Sequence, residues 1–137
     1  MSLITEFKGD MEFLAKTESG HELTMDAGIE SGGQDKGVRP KELLLVGLSG
    51  CTGMDVASIL KKMKVENYQL KIQVDYEKND EHPVIYTKIN VKYIFHLEDD
   101  SQKDKVEKAV SLSQDRYCGV SAMLKKSSEL SYEIIYE

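Results

Sequence analysis

Residues 40–64, PKELLLVGLSGCTGMDVASILKKMK, constrain this chain more than any other stretch. Pro40 fits the first position of a helix, where its missing N–H costs nothing. Lys61, Lys62 and Lys64 suit the negative end of the helix dipole. A helix of this length spans about 37 Å, the width of a small domain. Its first half has no polar stripe, because Leu43, Leu44, Leu45, Val46 and Leu48 cover every direction around the axis. A helix apolar all round must be buried all round. In 137 residues one small sheet and one further helix can hardly cover it. A second copy of the chain is expected to help, giving an intertwined homodimer.

The flanking sequence reads mostly as strands. Met11, Phe13 and Ala15 alternate with polar or solvent-side positions, and His21, Leu23 and Met25 do the same after a Ser19-Gly20 turn. Residues 27–39 form a polar, glycine-rich loop of the length that is often functional or partly mobile. Tyr68, Leu70, Ile72, Val74 and Tyr76 define one face of a long strand. Ile85, Thr87, Ile89, Val91, Tyr93, Phe95 and Leu97 define one face of the next. Such one-sided burial predicts an antiparallel sheet with helices on one face. Ser101 and Asp104 suggest a cap for a second helix through Val106, Ala109, Val110, Ser113 and Tyr117, bent or broken at Gly119. Leu130, Tyr132, Ile134 and Tyr136 make a last strand. The order of strands, helix, two strands, helix and strand is an α+β fold, expected as one domain over residues 1–137.

Composition removes several function classes. Eighteen basic against 24 acidic residues give a net charge of −6, the wrong sign for neutralising nucleic-acid phosphates. The longest uncharged run, residues 43–54, is too short to span a bilayer. The opening MSLITEFKGD has no basic region followed by an apolar run, so no signal peptide is expected. Two cysteines do not make a disulfide framework, and no C-x-x-C or H-x-x-x-H spacing suggests zinc, so neither metal nor cofactor is expected. A cytoplasmic setting is expected, where a thiol pair is chemical or incidental.

The chemistry centres on Cys51, within G-L-S-G-C-T-G, and Cys118, within D-R-Y-C-G-V-S. Glycines at 47, 50 and 53 are poor helix formers, so something is expected to approach the helix there or to occupy a pocket. One reading is an inert buried thiol in tight packing. The other is a reactive thiol that becomes a sulfenic acid and condenses with Cys118. Its activation requires a cation, from Arg39, Arg116 or a partner chain. Glu42 lies in the first helical turn, where it favours the dipole whatever its other role. Asp55, four residues after Cys51 and on the same helical face, opposes thiolate formation.

The segments R-P-K-E-L-L-L-V-G-L-S-G-C-T-G-M-D-V and Y-C-G-V-S-A-M-L resemble the two cysteine helices of the OsmC/Ohr family, the osmotically inducible and organic hydroperoxide resistance proteins. The resemblance implies an OsmC-like α+β fold, with antiparallel sheets around a long buried central helix, in a domain-swapped homodimer. It also implies stress-related reduction of organic hydroperoxides by a thiol or lipoyl-type reductant. Cys51 is then the peroxidatic thiol and Cys118 the resolving one, with Arg39 and Glu42 as the nearest counterparts of the family's activating pair. The chain departs from the family peroxidases in three ways. Lys41 stands where they carry the glutamate, no arginine precedes Arg39, and Gly119 replaces the proline after the second cysteine. It is closer to the OsmC-like subgroup without an assigned activity. The alternative function is a non-catalytic dimeric binding protein that holds a small apolar or thiol ligand in its interface pocket.

Overall fold

The computed structural model describes residues 1–137 as two compact units, Met1–Val46 and Gly47–Glu137. The N-terminal unit is a meander of β1 (Ile4–Gly9), β2 (Glu12–Lys16) and β3 (Glu22–Met25), paired antiparallel in that order. Sequence patterning has no hold on β1, because five of its six residues are exposed and no apolar alternation marks it. The loop after β3 is held in place by Asp26. Its buried carboxylate accepts backbone N–H bonds from Ala27 (2.7 Å), Gln34 (3.2 Å) and Lys36 (3.1 Å). Burial pushes this carboxyl up, but the three N–H groups outweigh it and hold it below the usual carboxylate range. The loop returns alongside β3 through a Met25–Val38 bridge. Gly33 and Gly37 are required there, since a Cβ on either would collide with the carbonyl of Ala27 or Thr24.

Helix α1 spans Glu42–Lys62, shorter by a turn than the apolar segment suggests. Leu43 and Leu44 bond back to Pro40 and Lys41 in a tight first turn, and Glu42 Oε2 accepts from Arg39 N at 3.1 Å. That contact is half of a capping box. Leu45, Leu48, Thr52, Val56 and Leu60 form the buried stripe, spaced by three or four residues as one helical face requires. The opposite face stays open within one chain. Leu44, Val46 and Met54 are exposed, and a Cβ at Gly47 or Gly50 would meet nothing within 4 Å. Only Gly53 is closely approached, by Ile72. Burial on all sides is thus absent within a single chain. By length and composition α1 is long and apolar enough to cross a bilayer, which the 12-residue uncharged run does not suggest, but the core helices of water-soluble proteins are so too. The Gly47–Lys62 portion packs on the sheet of its own unit, through Thr52–Tyr93 and Gly53–Ile72 contacts.

The C-terminal sheet runs β4 (Tyr68–Lys78), β5 (Tyr86–Leu97) and β6 (Glu129–Tyr136). β4 and β5 pair antiparallel, as the alternation predicts, with Ile89, Val91, Tyr93 and Phe95 buried on the helix side. β6 corrects the expectation of purely antiparallel sheets, because it pairs parallel with β5. The intervening helices form a crossover, which brings the chain back in the original direction. The crossover consists of α2 (Lys103–Leu112), a π-helical turn (Ser113–Tyr117) and α3 (Gly119–Leu124). Asp99, rather than the Ser101–Asp104 pair, supplies the cap, accepting from Ser101 N at 3.0 Å at the start of a 3-10 turn (Asp100–Gln102) that leads into α2. The break falls at Cys118, which is extended at φ −74° and ψ 102°, one residue before the expected Gly119. The wider π turn shifts the helical phase. Val106, Ala109, Val110 and Ser113 stay buried, but Tyr117 is thrown outward, contrary to the simple periodicity.

Candidate functional site

The C-terminal unit brings both cysteines together, one from the middle of α1 and one from the extended residue before α3. Cys51 Sγ, Cys118 Sγ and an Asp55 carboxylate oxygen all lie within 4.8 Å of one another. Both thiols are free. Cys118 is buried, at 4% exposure, and Cys51 is half-buried, so access favours Cys51. The first turn of α3 offers a backbone N–H to each sulfur. Val120 bonds to Cys51, and Ser121 bonds to Cys118 at 3.4 Å. The extended backbone at Cys118 makes this possible by turning its side chain over the helix start, as an N-cap residue does.

Behind the sulfurs lies a buried chain of hydroxyls. Ser113 Oγ donates to Asp55 Oδ2 (3.1 Å). Its single proton is then used, so it accepts from Thr52 (2.7 Å). Thr52 in turn accepts from Tyr93 (2.6 Å), and the Tyr93 oxygen accepts from Gln114 Nε2 (2.6 Å). The chemistry of the groups at its two ends fixes one direction for the whole chain, ending on Asp55. Burial pushes the Tyr93 phenol up, which keeps it protonated as the donor this direction needs. Lys125 Nζ braces the far end on the Gln114 carbonyl (2.8 Å). Ser113, Thr52, Tyr93 and Gln114 escape sequence inspection because they come from three elements. The one available signal was a serine and a threonine at core-facing helical positions, where a hydroxyl must find a partner.

Burial pushes the Cys51 thiol above its ordinary range. The Val120 N–H opposes this, while the hydrogen bond shared with Cys118 and the Cys118 and Asp55 charges reinforce it. The sign is that of a protonated thiol at neutral pH. A cysteine at the ordinary pKa of about 8.5 is already only about 3% thiolate at pH 7, and Cys51 falls below that. The expected alkylation profile for Cys51 therefore has its midpoint above about 8.5. Cys118→Ser and Asp55→Asn are each expected to lower it, by removing a group that disfavours the anion. Iodoacetamide rates read by mass spectrometry across pH check both points.

A cleft of about 410 Å³ adjoins Asp55 and is lined by Ser58, Ile59, Lys62, Leu112 and Tyr117. Its apolar walls are Ile59, Leu112 and Tyr117. The other two sequence candidates lie in the N-terminal unit. Arg39 Nη1 bonds Asp35 (2.7 Å) and the Gly37 carbonyl (3.0 Å), and Glu42 caps α1. Arg116 lies over the Tyr117 ring at 5.7 Å.

With two small sheets, a central helix and a paired cysteine site, the chain belongs to the OsmC-like protein family, whose model matches residues 33–133. It is 36% identical over 128 residues to protein YhfA of Escherichia coli K12, an alignment that covers 91% of each chain. Among solved structures it resembles a hypothetical protein from Aquifex aeolicus VF5, at 36% identity and a TM-score of 0.78, covering 99% of this chain and 96% of that one. It also shares its fold with an organic hydroperoxide resistance protein from Legionella pneumophila, at 17% identity and a TM-score of 0.67, over 98% of this chain and 97% of that one.

Proposed function

We propose that the protein performs thiol redox chemistry through reversible oxidation of the Cys51–Cys118 pair, with organic hydroperoxides as oxidants. The observation that carries this reading is the placement of both sulfurs within 4.8 Å in one site. Cys51 thiolate attacks the distal peroxide oxygen. The O–O bond breaks, the alkoxide takes a proton and leaves as alcohol, and Cys51 becomes a sulfenic acid. The Cys118 thiol displaces the hydroxyl as water, forming a disulfide. Two equivalents of a thiol, or one lipoyl-type dithiol, return the pair to its reduced form, as a reducing compartment such as the cytoplasm requires. The walls formed by Ile59, Leu112 and Tyr117 favour an organic peroxide over hydrogen peroxide. A thiol count before and after one equivalent of cumene hydroperoxide tests the reading. Loss of both thiols per chain, restored by dithiothreitol, is expected, and retention of both overturns it.

The chain is proposed to act as a homodimer. The exposed apolar face of α1, with Val46 and Met54, and the exposed Phe7 and Phe13 of the N-terminal sheet support an interface. An obligate interface of this kind buries on the order of 2,000 Å² or more. Sedimentation equilibrium should give twice the chain mass at micromolar concentration, and a folded monomer there would exclude it. Arg39, with Glu42, is assigned the role of tempering the raised Cys51 thiol. Arg39→Ala is then expected to move the alkylation midpoint further up, and no movement removes Arg39 from the site.

The raised Cys51 thiol supports a second reading, a binding protein that uses the same pocket without turnover. Intact thiols after peroxide treatment would favour it.

A further inference from the structure

Asp55 is a charge that peroxide chemistry has no use for. A carboxylate beside two thiols opposes thiolate formation, and no lysine, arginine or histidine forms an ion pair with it. Yet the fold holds it there with a buried chain of four hydrogen bonds that ends on its Oδ2. The same anion beside two sulfurs suits a thiophilic cation. Each of the three donor atoms already carries an outer hydrogen bond: Val120 N–H on Cys51, Ser121 N–H on Cys118 and Ser113 O–H on Asp55. Such outer partners orient metal ligands and tune their basicity.

We infer that reduced Cys51, Cys118 and Asp55 form a binding site for a thiophilic divalent cation of the zinc class. Two sulfurs and one carboxylate oxygen bind the ion, which leaves a fourth position for water or another ligand. Zinc–sulfur bonds of about 2.3 Å in a tetrahedral site set the two sulfurs about 3.8 Å apart. Groups already within 4.8 Å need to close by only about 1 Å. Binding displaces the two thiol protons into solution and moves no electrons. Two thiolates and a carboxylate against a divalent ion leave one negative charge, which the three outer donors offset in part. The site uses the same thiols as the redox reading but needs no peroxide. Because the ion occupies both sulfurs, metal loading and disulfide formation exclude each other.

The test is a titration of reduced protein, freed of small thiols, with Co²⁺ as the probe and Zn²⁺ as the competitor. Expected is a sulfur-to-cobalt charge-transfer band that saturates at one ion per chain and is lost on adding Zn²⁺. Cys51→Ser and Cys118→Ser should each remove at least half of the band. Asp55→Asn keeps both sulfurs and should bind at least about tenfold more weakly. Ser113→Ala keeps all three donors and, by loosening Asp55, should weaken binding by up to about tenfold. It serves as the readout if Asp55→Asn fails to fold by circular dichroism. No charge-transfer band in the unaltered protein overturns the site, as does full affinity in the aspartate and serine variants. Thiol oxidation of the metal-free protein, scored separately, shows whether the redox reading stands or falls on its own.

Discussion

Thr52→Val is expected to destabilise the protein by about 2–4 kcal/mol, although it keeps the β-branched shape of the side chain. Thr52 is fully buried, and its hydroxyl joins Tyr93 to Ser113. Valine leaves the Tyr93 O–H without an acceptor and the Ser113 oxygen without its donor. Each stranded buried group costs about 1–3 kcal/mol. The new methyl also faces a phenol oxygen that sits 2.6 Å from the atom it replaces, which is too close for carbon. Against a typical total of about 5–15 kcal/mol, the loss is a large fraction. Tyr93→Phe should cost less, because it strands Gln114 Nε2 and the Thr52 oxygen but presses no new carbon against an oxygen. Urea unfolding at one fixed protein concentration measures both, since the midpoint of a dimer depends on concentration. A Thr52→Val change below about 0.5 kcal/mol would mean that the hydroxyl chain contributes no net stability.

Legibility in the sequence followed the range of the interactions. The long strands were readable because a period of two survives along Ile89, Val91, Tyr93 and Phe95, all of them buried. The buried stripe of α1 was not separable from its open face, because Leu44 and Leu45 look alike in sequence and only one is buried. The parallel pairing of β6 depends on how a crossover closes, which local pattern does not encode. The π turn at Ser113–Tyr117 likewise has no sequence mark, so Tyr117 was placed on the wrong side. In the site, the adverse charge of Asp55 is visible from its spacing to Cys51 along α1, and the two cysteines from the small residues that flank each of them. The hydroxyl chain was not, because Tyr93 and Ser113 meet Thr52 across 41 and 61 positions. The absence of a ligand-like spacing also said little about metal binding, since the fold gathers Cys51, Asp55 and Cys118 from two separate elements.

The two cysteine variants are expected to fail in different ways, and the difference identifies the roles. Cys51 is the more accessible sulfur, while Cys118 is buried against the start of α3 with its sulfur held by the Ser121 N–H. A peroxide entering from outside therefore reaches Cys51 first. Cys51→Ser should abolish catalytic peroxide consumption, leaving only the background reaction. Cys118→Ser should still react once, because attack needs only Cys51. Without a second thiol the sulfenic acid has no internal partner to condense with. The product should be a chain one oxygen atom heavier, trapped by dimedone, followed by slow over-oxidation. The first-step rate of the unaltered protein and of Cys118→Ser should rise with pH, because burial holds the Cys51 thiol protonated at neutrality and the thiolate is the attacking species. Asp55→Asn should speed that first step at neutral pH by removing a charge that disfavours the thiolate. Intact-protein mass spectrometry after one equivalent of cumene hydroperoxide separates these outcomes. An unmodified Cys118→Ser chain, or a Cys51→Ser chain that still turns over, would reverse or remove the assignment of Cys51 as the attacking thiol.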